Sequence, residues 1–193
     1  MTAPGTKDPE ETEIKVPVAD LVPIRTKLVA EGARSHSEPH LERNVLFDDA
    51  KGHLIAEKKA LRVRHARGRG ILTFKGPARF DGPIKRREEL EVEVGDPDLL
   101  QTILERLGYV AKFRYEKRRE EFRWKNCLVA LDETPIGFFV EIEGETEAIG
   151  EALSGLGLRA EDAVRNSYAG LYREAREKDR RLPPDMLFPG SGR

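Results

Sequence analysis

Apolar and charged residues alternate with a period of two through much of this chain. Leu61 and Val63 alternate with Arg62 and Arg64, Leu72 and Phe74 with Thr73 and Lys75, and Leu90, Val92 and Val94 with Arg87, Glu89, Glu91 and Glu93. Successive side chains of a strand point to opposite faces, so each segment predicts a strand with one apolar and one charged face. The same pattern marks Glu11-Thr12-Glu13-Ile14-Lys15-Val16, the segment ending in Val45-Leu46-Phe47, Phe113 to Trp124, Leu128 to Asp132, and Phe138 to Glu143. Glu11, Glu13 and Lys15 share one face, Tyr115, Lys117 and Arg119 another, and Glu141 and Glu143 a third. Eight strands result, antiparallel because short loops join several of them, with Gly68-Arg69-Gly70 turning one hairpin. Helical spacing predicts helices over Val18 to Gly32, over Asp98 to Gly108 behind Asp96-Pro97, around Glu147 to Leu153, and from about Asp162 to Arg181.

Composition narrows the picture. A chain of 193 residues, 38% hydrophobic, supports one well-cored domain, expected over 10–182 with loose tails at 1–9 and 183–193. The 34 basic and 35 acidic side chains cancel to a net charge of −1, and the basic run Lys85-Arg86-Arg87 leads straight into Glu88-Glu89. That balance argues against a nucleic-acid partner held through phosphate contacts. The single Cys127 excludes an intramolecular disulfide. No apolar run approaches the ~18 residues of a membrane span and no secretory leader is readable, so a cytoplasmic protein without a membrane partner is expected. The sequence leaves monomer and homodimer open.

A sheet with one wet face would also alternate. Here the charged faces are poor in Thr, Ser and Gln, and whole strands carry one sign. Closing eight strands into a barrel would turn those faces inward around a space wide enough for side chains or one small ligand. Helices would then cover the apolar outside. The fold class expected is therefore α+β, an eight-stranded antiparallel barrel with helices packed outside. An interior holding both arginines and glutamates suits a polyanion bound through a divalent metal.

The motifs, taken in order, resemble those of the CYTH superfamily, the triphosphate tunnel metalloenzymes, which include inorganic and thiamine triphosphatases and class IV adenylyl cyclases. Glu11-x-Glu13-x-Lys15 is similar to the family's N-terminal hallmark, Leu61-Arg62-Val63-Arg64 to its Leu-Arg-x-Arg strand, and Thr73-Phe74-Lys75-Gly76-Pro77 to its Thr-x-Lys-x-Pro. Arg87-Glu88-Glu89-Leu90-Glu91, Lys117-Arg118-Arg119, Leu131-Asp132 with Gly137 to Glu143, and Ser167-Tyr168 follow in family order, so the resemblance covers roughly 10–174. It implies that Arg62, Arg64, Lys75, Arg87, Lys117 and Arg119 bind triphosphate oxygens. It also implies that Glu11, Glu13, Glu141 and Glu143, supported by Glu89 and Glu91, hold Mg²⁺ or Mn²⁺. Glu13, Lys15 and Glu141 are the expected catalytic residues, with Lys15 either binding phosphate or tethering carboxylates.

The activity the resemblance implies is hydrolysis of inorganic triphosphate or a triphosphorylated small molecule. The alternatives are cyclisation of ATP and non-catalytic binding of polyphosphate or nucleotide. Class IV cyclases tend to carry Gln-x-Asp-x-Tyr-Phe in the second strand, where this chain has Glu42-Arg43-Asn44-Val45-Leu46-Phe47. That departure weakens the cyclase reading, and Arg43 could add a phosphate contact or a surface ion pair. His36 and His40 have helical metal spacing, but Pro39 opposes a helix there. Cys127 reads as a packing residue, and Phe122 and Trp124 as core or rim.

Overall fold

A computed structural model describes residues 10–191. The strands are β1 (Glu10–Val18), β2 (Arg34–Asp49), β3 (Ala60–Ala66), β4 (Arg69–Lys75), β5 (Arg79–Asp81), β6 (Ile84–Val94), β7 (Tyr109–Trp124), β8 (Cys127–Thr134) and β9 (Gly137–Glu143). The helices are α1 (Val22–Ala30), α2 (His53–Ala56), α3 (Pro97–Arg106), α4 (Thr146–Leu156) and α5 (Tyr168–Lys178), with a 3-10 turn at Ala160–Asp162. Hydrogen bonding runs β1-β9-β8-β7-β2-β3-β4-β6, and a β1–β6 pairing closes the ring, so eight antiparallel strands form a barrel while β5 is a ninth strand on β6.

The closing seam sets Glu11 opposite Arg87 and Glu13 opposite Lys85. On the far edge of β1, Glu13 faces Glu143 and Lys15 faces Glu141. These registers turn the charged face of every strand into the lumen. The apolar faces point out, and two of the three cores form outside the barrel wall, while the third closes the α5 end of the lumen. Ile14, Val16, Val129, Leu131, Val140 and Ile142 pack with Leu28 of α1 and with Ile149, Ala152, Leu153 and Leu156 of α4. Phe47 and Val63 pack with Leu104 of α3. Tyr115 and Phe139 pack with Tyr168 and Tyr172 of α5 and with Met186.

Local chemistry sets the ends of the helices. Pro97 begins α3 behind Asp96, whose carboxylate accepts from the Leu99 N–H at 2.8 Å. Ser167 caps α5 by accepting from the Gly170 N–H at 3.2 Å. The helix expected from Val18 begins instead at Val22, because Val18 is still paired with Phe138 in the sheet. The helix expected from Asp162 begins at Tyr168, and the backbone before it pairs with β1, Val164 N–H donating to the Lys15 carbonyl at 2.8 Å. The β3–β4 turn falls on Arg67-Gly68, both at positive φ (51° and 72°), one residue earlier than Gly68-Arg69-Gly70 suggests.

The stretch 183–191, expected to be a loose tail, docks on the barrel. Met186 is fully buried and exchanges backbone hydrogen bonds with Arg114 and Glu116 of β7 at 3.0 and 2.9 Å. At those residues β7 has run past the end of β8, which pairs only from Arg118 onward, so a free strand edge accepts the tail. The expected tail 1–9 lies outside the described residues.

Gly155 of α4 tests the outer core. A Cβ there would stand 2.5 Å from the Trp124 ring. Alanine is the better helix former by about 1 kcal/mol, so a gain would be expected if packing were indifferent. Gly155→Ala is expected instead to destabilise by about 1–3 kcal/mol in urea unfolding, because overpacking outweighs propensity.

Candidate active site

The lumen is lined by ion pairs in two unequal sectors. On β3, β4 and β6, Glu91 accepts from Arg62 at 3.1 Å, Arg64 at 3.0 Å and Thr73 Oγ1 at 2.7 Å. Arg64 also donates to Glu42 of β2 at 3.1 Å, and Lys75 pairs with Glu89. On β7, β8 and β9, Asp132 has no exposed surface and accepts from Arg119 (2.7 and 2.6 Å), Lys117 (3.1 Å) and the Tyr168 hydroxyl (2.6 Å). Arg119 reaches on to Glu141, which Lys15 meets at 3.1 Å. The Lys15 ammonium also lies 4.0 Å above the Tyr168 ring. Lys15 is thus paired with a carboxylate and an aromatic face.

At the seam, Glu13 accepts from Lys85 at 2.5 Å, and Arg87 is held by the carbonyls of Gly76 (2.6 Å) and Lys58 (3.5 Å). Burial pushes the Glu11 carboxyl up to about 8, and the negative charges of Glu89 and Glu143 add to the shift against the opposing Lys75. Burial also brings the Lys75 ammonium down to about 8, helped by Arg62 and opposed by Glu89 and Glu13. Burial raises Glu13 and Glu141 as well, but lysines outweigh it: Lys85 leaves Glu13 below its usual range, and Lys15 with Arg119 holds Glu141 well below it. For Glu91, Arg64 and Arg62 outweigh burial to the same effect.

Every site residue expected from sequence therefore sits on the barrel interior, on β1, β3, β4, β6, β7 or β9. The basic residues of β3 and β7 converge on Glu42 of the strand between them, which Arg64 and Lys117 approach from either side at 3.1 and 3.5 Å. The acidic residues are less united. Glu11, Glu89 and Glu143 influence one another at the seam, whereas Glu141 and Glu91 are claimed by arginine and lysine. Among the described residues no three acidic, histidine or cysteine side chains form a ready metal cluster. The donor set is nonetheless chemically apt for a hard divalent cation: all oxygen, and crowded enough that Glu11 resists ionising.

Three lumen groups, Glu42, Asn44 and Lys85, were given no site role from sequence, and Asp132 was marked only as part of the Leu131-Asp132 motif. Lys85 carried a signal, lying two residues before Arg87 on the same face, and Glu42 and Asn44 alternate with Val45 in the same manner. His36 and His40 both lie within β2, where His40 Nδ1 meets the Glu38 carbonyl at 2.8 Å. Arg43 points outward to Glu116 at 3.3 Å. Cys127 is buried in the outer core and its thiol is pushed up to about 11 by burial.

A family model, the CYTH domain, matches residues 9–168. A Methanocaldococcus jannaschii protein described as a candidate adenylate cyclase is 26% identical over 172 residues, covering 83% of this chain and 97% of that protein. A Pyrococcus horikoshii protein of solved structure is 28% identical, with a TM-score of 0.69 over 86% of this chain and 99% of its own. The HpAC1 protein of Hippeastrum, a candidate adenylyl cyclase described as having a dominant triphosphatase activity, shares the fold at 23% identity. Its TM-score is 0.65 over 86% of this chain and 96% of its own. With its motifs in order on the inner wall of a closed barrel and the family model spanning most of its length, the chain belongs to the CYTH domain family.

Proposed function

We propose that this protein hydrolyses a triphosphate, either inorganic triphosphate or a triphosphorylated small molecule, inside the barrel with Mg²⁺ or Mn²⁺. The observation that carries this reading is the division of the lumen. Arginines and lysines of β3, β4, β6 and β7 face a seam where Glu11, Glu89 and Glu143 crowd until one carboxyl holds its proton to about pH 8. A protein that only bound polyphosphate would gain from the bases and lose by the buried acids. A divalent cation at the seam, held by Glu11, Glu13 and Glu143 with Glu89 beside them, would neutralise charge on the phosphoryl group. Arg62, Arg64, Lys75 and Arg87, with Lys117 and Arg119 opposite, bind the phosphate oxygens and hold the chain for in-line attack by water. Lys15 and Arg119 fix Glu141, and Glu91 orients Arg62 and Arg64.

Cyclisation of ATP is the second reading, favoured by the descriptions of the relatives. Against it stands the end of the lumen near α5. There Tyr115 meets Tyr168 at a tilt and Phe139 meets it edge-on, with ring centroids 6.3 and 5.3 Å apart, and Met186 packs on the same cluster, so these rings are already engaged with one another and offer no open face for an adenine. The deciding experiment incubates the protein with inorganic triphosphate, thiamine triphosphate and ATP under Mg²⁺ or Mn²⁺ and measures phosphate, pyrophosphate and cyclic AMP. Phosphate release is expected. Pyrophosphate together with cyclic AMP would overturn the assignment, and so would binding without turnover.

Glu13→Gln is expected to keep the far-UV circular dichroism of the parent while lowering turnover by at least about 100-fold, the scale of losing one electrostatic contact made at the reacting group. Near-native activity would remove Glu13 from the machinery.

Glu11 supplies a test of the seam without turnover. Its folded carboxyl titrates near 8, above the unfolded value of 4.5. Its stability contribution is therefore fully present below the unfolded value and is lost as pH rises toward 8. Gln cannot ionise in either state. In EDTA, Glu11→Gln and the parent are expected to unfold at similar urea concentrations at pH 4.5, with the variant increasingly the more stable up to pH 8 and the gap constant beyond. Added Mn²⁺ should stabilise the parent more than the variant; a pH-independent gap would refute the crowded-carboxylate account.

A further inference from the structure

Among the described residues, the buried side-chain atoms without a hydrogen-bond partner are Glu42 Oε2, both polar atoms of Asn44, and the Nε atoms of Arg62 and Arg64. They are not scattered. All four residues lie on the inner face of two adjacent strands, where Asn44 pairs in register with Arg64, and Arg62 and Glu42 sit one step away on either side. Asn44 is 2% exposed, and its whole amide goes unserved. A buried amide left so is destabilising, and five such atoms on one patch of wall describe the outline of a missing partner.

The atoms specify that partner. Arg62 Nη2 is committed to Thr73 and Glu91, with Tyr115 also bonded to that guanidinium, and both terminal nitrogens of Arg64 are committed to Glu42 and Glu91, which orients both planes and leaves their Nε atoms unserved. Arg62 Nε, Arg64 Nε and Asn44 Nδ2 can donate; Asn44 Oδ1 and Glu42 Oε2 can only accept. Lys117 stands 3.5 Å from Glu42 Oε2, which balances its charge but makes no hydrogen bond. An internal phosphate of a chain offers oxygens that accept and nothing that donates. A terminal phosphoryl group offers three oxygens, and near neutral pH one of them carries a proton for part of the time, since the second ionisation of a phosphate monoester falls near 6.

We propose that Asn44, with Glu42 and the Nε edges of Arg62 and Arg64, forms a subsite for the protonated terminal phosphoryl group of a linear polyphosphate. The inference rests on the triphosphate reading above and deepens it, orienting the substrate with one end against the β2–β3 wall. It also accounts for an amide in the second strand where related cyclases tend to have aspartate. A carboxylate beside Arg62 and Arg64 would pair with them and close the site, whereas the amide leaves them free and supplies both a donor and an acceptor.

The test uses the full chain in EDTA, so that neither metal nor turnover enters, and measures binding calorimetrically. The ligands are inorganic triphosphate and cyclic trimetaphosphate, which has no terminal phosphoryl group. The parent is expected to prefer the linear ligand. Asn44→Leu should weaken linear triphosphate roughly tenfold, about 1.4 kcal/mol, and leave the cyclic ligand unchanged. Asn44→Asp should weaken both and raise the melting temperature as the new carboxylate engages the arginines. A linear-over-cyclic ratio that survives in Asn44→Leu overturns the proposal and assigns the unserved atoms to water. Should the leucine variant fail to fold, Asn44→Val carries the same comparison with the same criterion. A protein that shows the expected ratios but releases no phosphate keeps the subsite and rejects hydrolysis. Phosphate release with no dependence of the ratio on residue 44 does the reverse.

Discussion

Buried charge must be paired, and that requirement governs this barrel more than any hydrophobic contact does. An isolated ion taken out of water costs several kcal/mol even after relaxation, and its partner recovers that only with good geometry. The lumen meets the condition by sharing: Asp132 serves two cations and a hydroxyl, Glu91 two arginines and a hydroxyl, and Arg119 two carboxylates. Such a network specifies which strands lie next to which. It contributes little net stability, because apolar side chains of equal volume would do as well or better.

Stability has to come from outside the wall. Two apolar clusters lie between outward strand faces and α1 with α4 or α3, and the third plugs the α5 end of the lumen, where Tyr115 and Phe139 meet Tyr168, Tyr172 and Met186. At roughly 1.5–3 kcal/mol for each fully buried Leu, Ile or Val, these layers carry the free energy that permits a polar interior. The division of labour frees the lumen to be chemically frustrated. Glu11, crowded by Glu89 and Glu143, is tolerated because Ile14 and Val16, outward residues further along the same strand, are anchored in the α1–α4 core.

Much of this was legible in the sequence because a closed barrel enforces a strict period of two. Lys75, Arg87 and Glu141 could be assigned to the interior from alternation alone, and their neighbours Phe74 and Val140 to the outside. Legibility failed where a residue's fate depended on register or on distant chain. Nothing local marks β5, three residues long and dependent on β6 for all its pairing. The docking of Met186 required knowing that β7 outruns β8. In β2, register shifts between Ser35 and His40 interrupt the alternation, so the inward assignment of Glu42 and Asn44 rests on their pairing with β3 and β7.

Asp132 shows how the interior and exterior are joined. Its carboxylate belongs to the lumen network, yet one of its donors, the Tyr168 hydroxyl, comes from the first residue of α5, whose ring also carries Lys15 and Lys117 on its face. The helix that seals this end of the barrel is therefore held by the same charges that would face a substrate. One buried carboxylate thus joins the charged wall to its closing helix, and an asparagine there, carrying no charge, would leave two buried cations without their counter-ion.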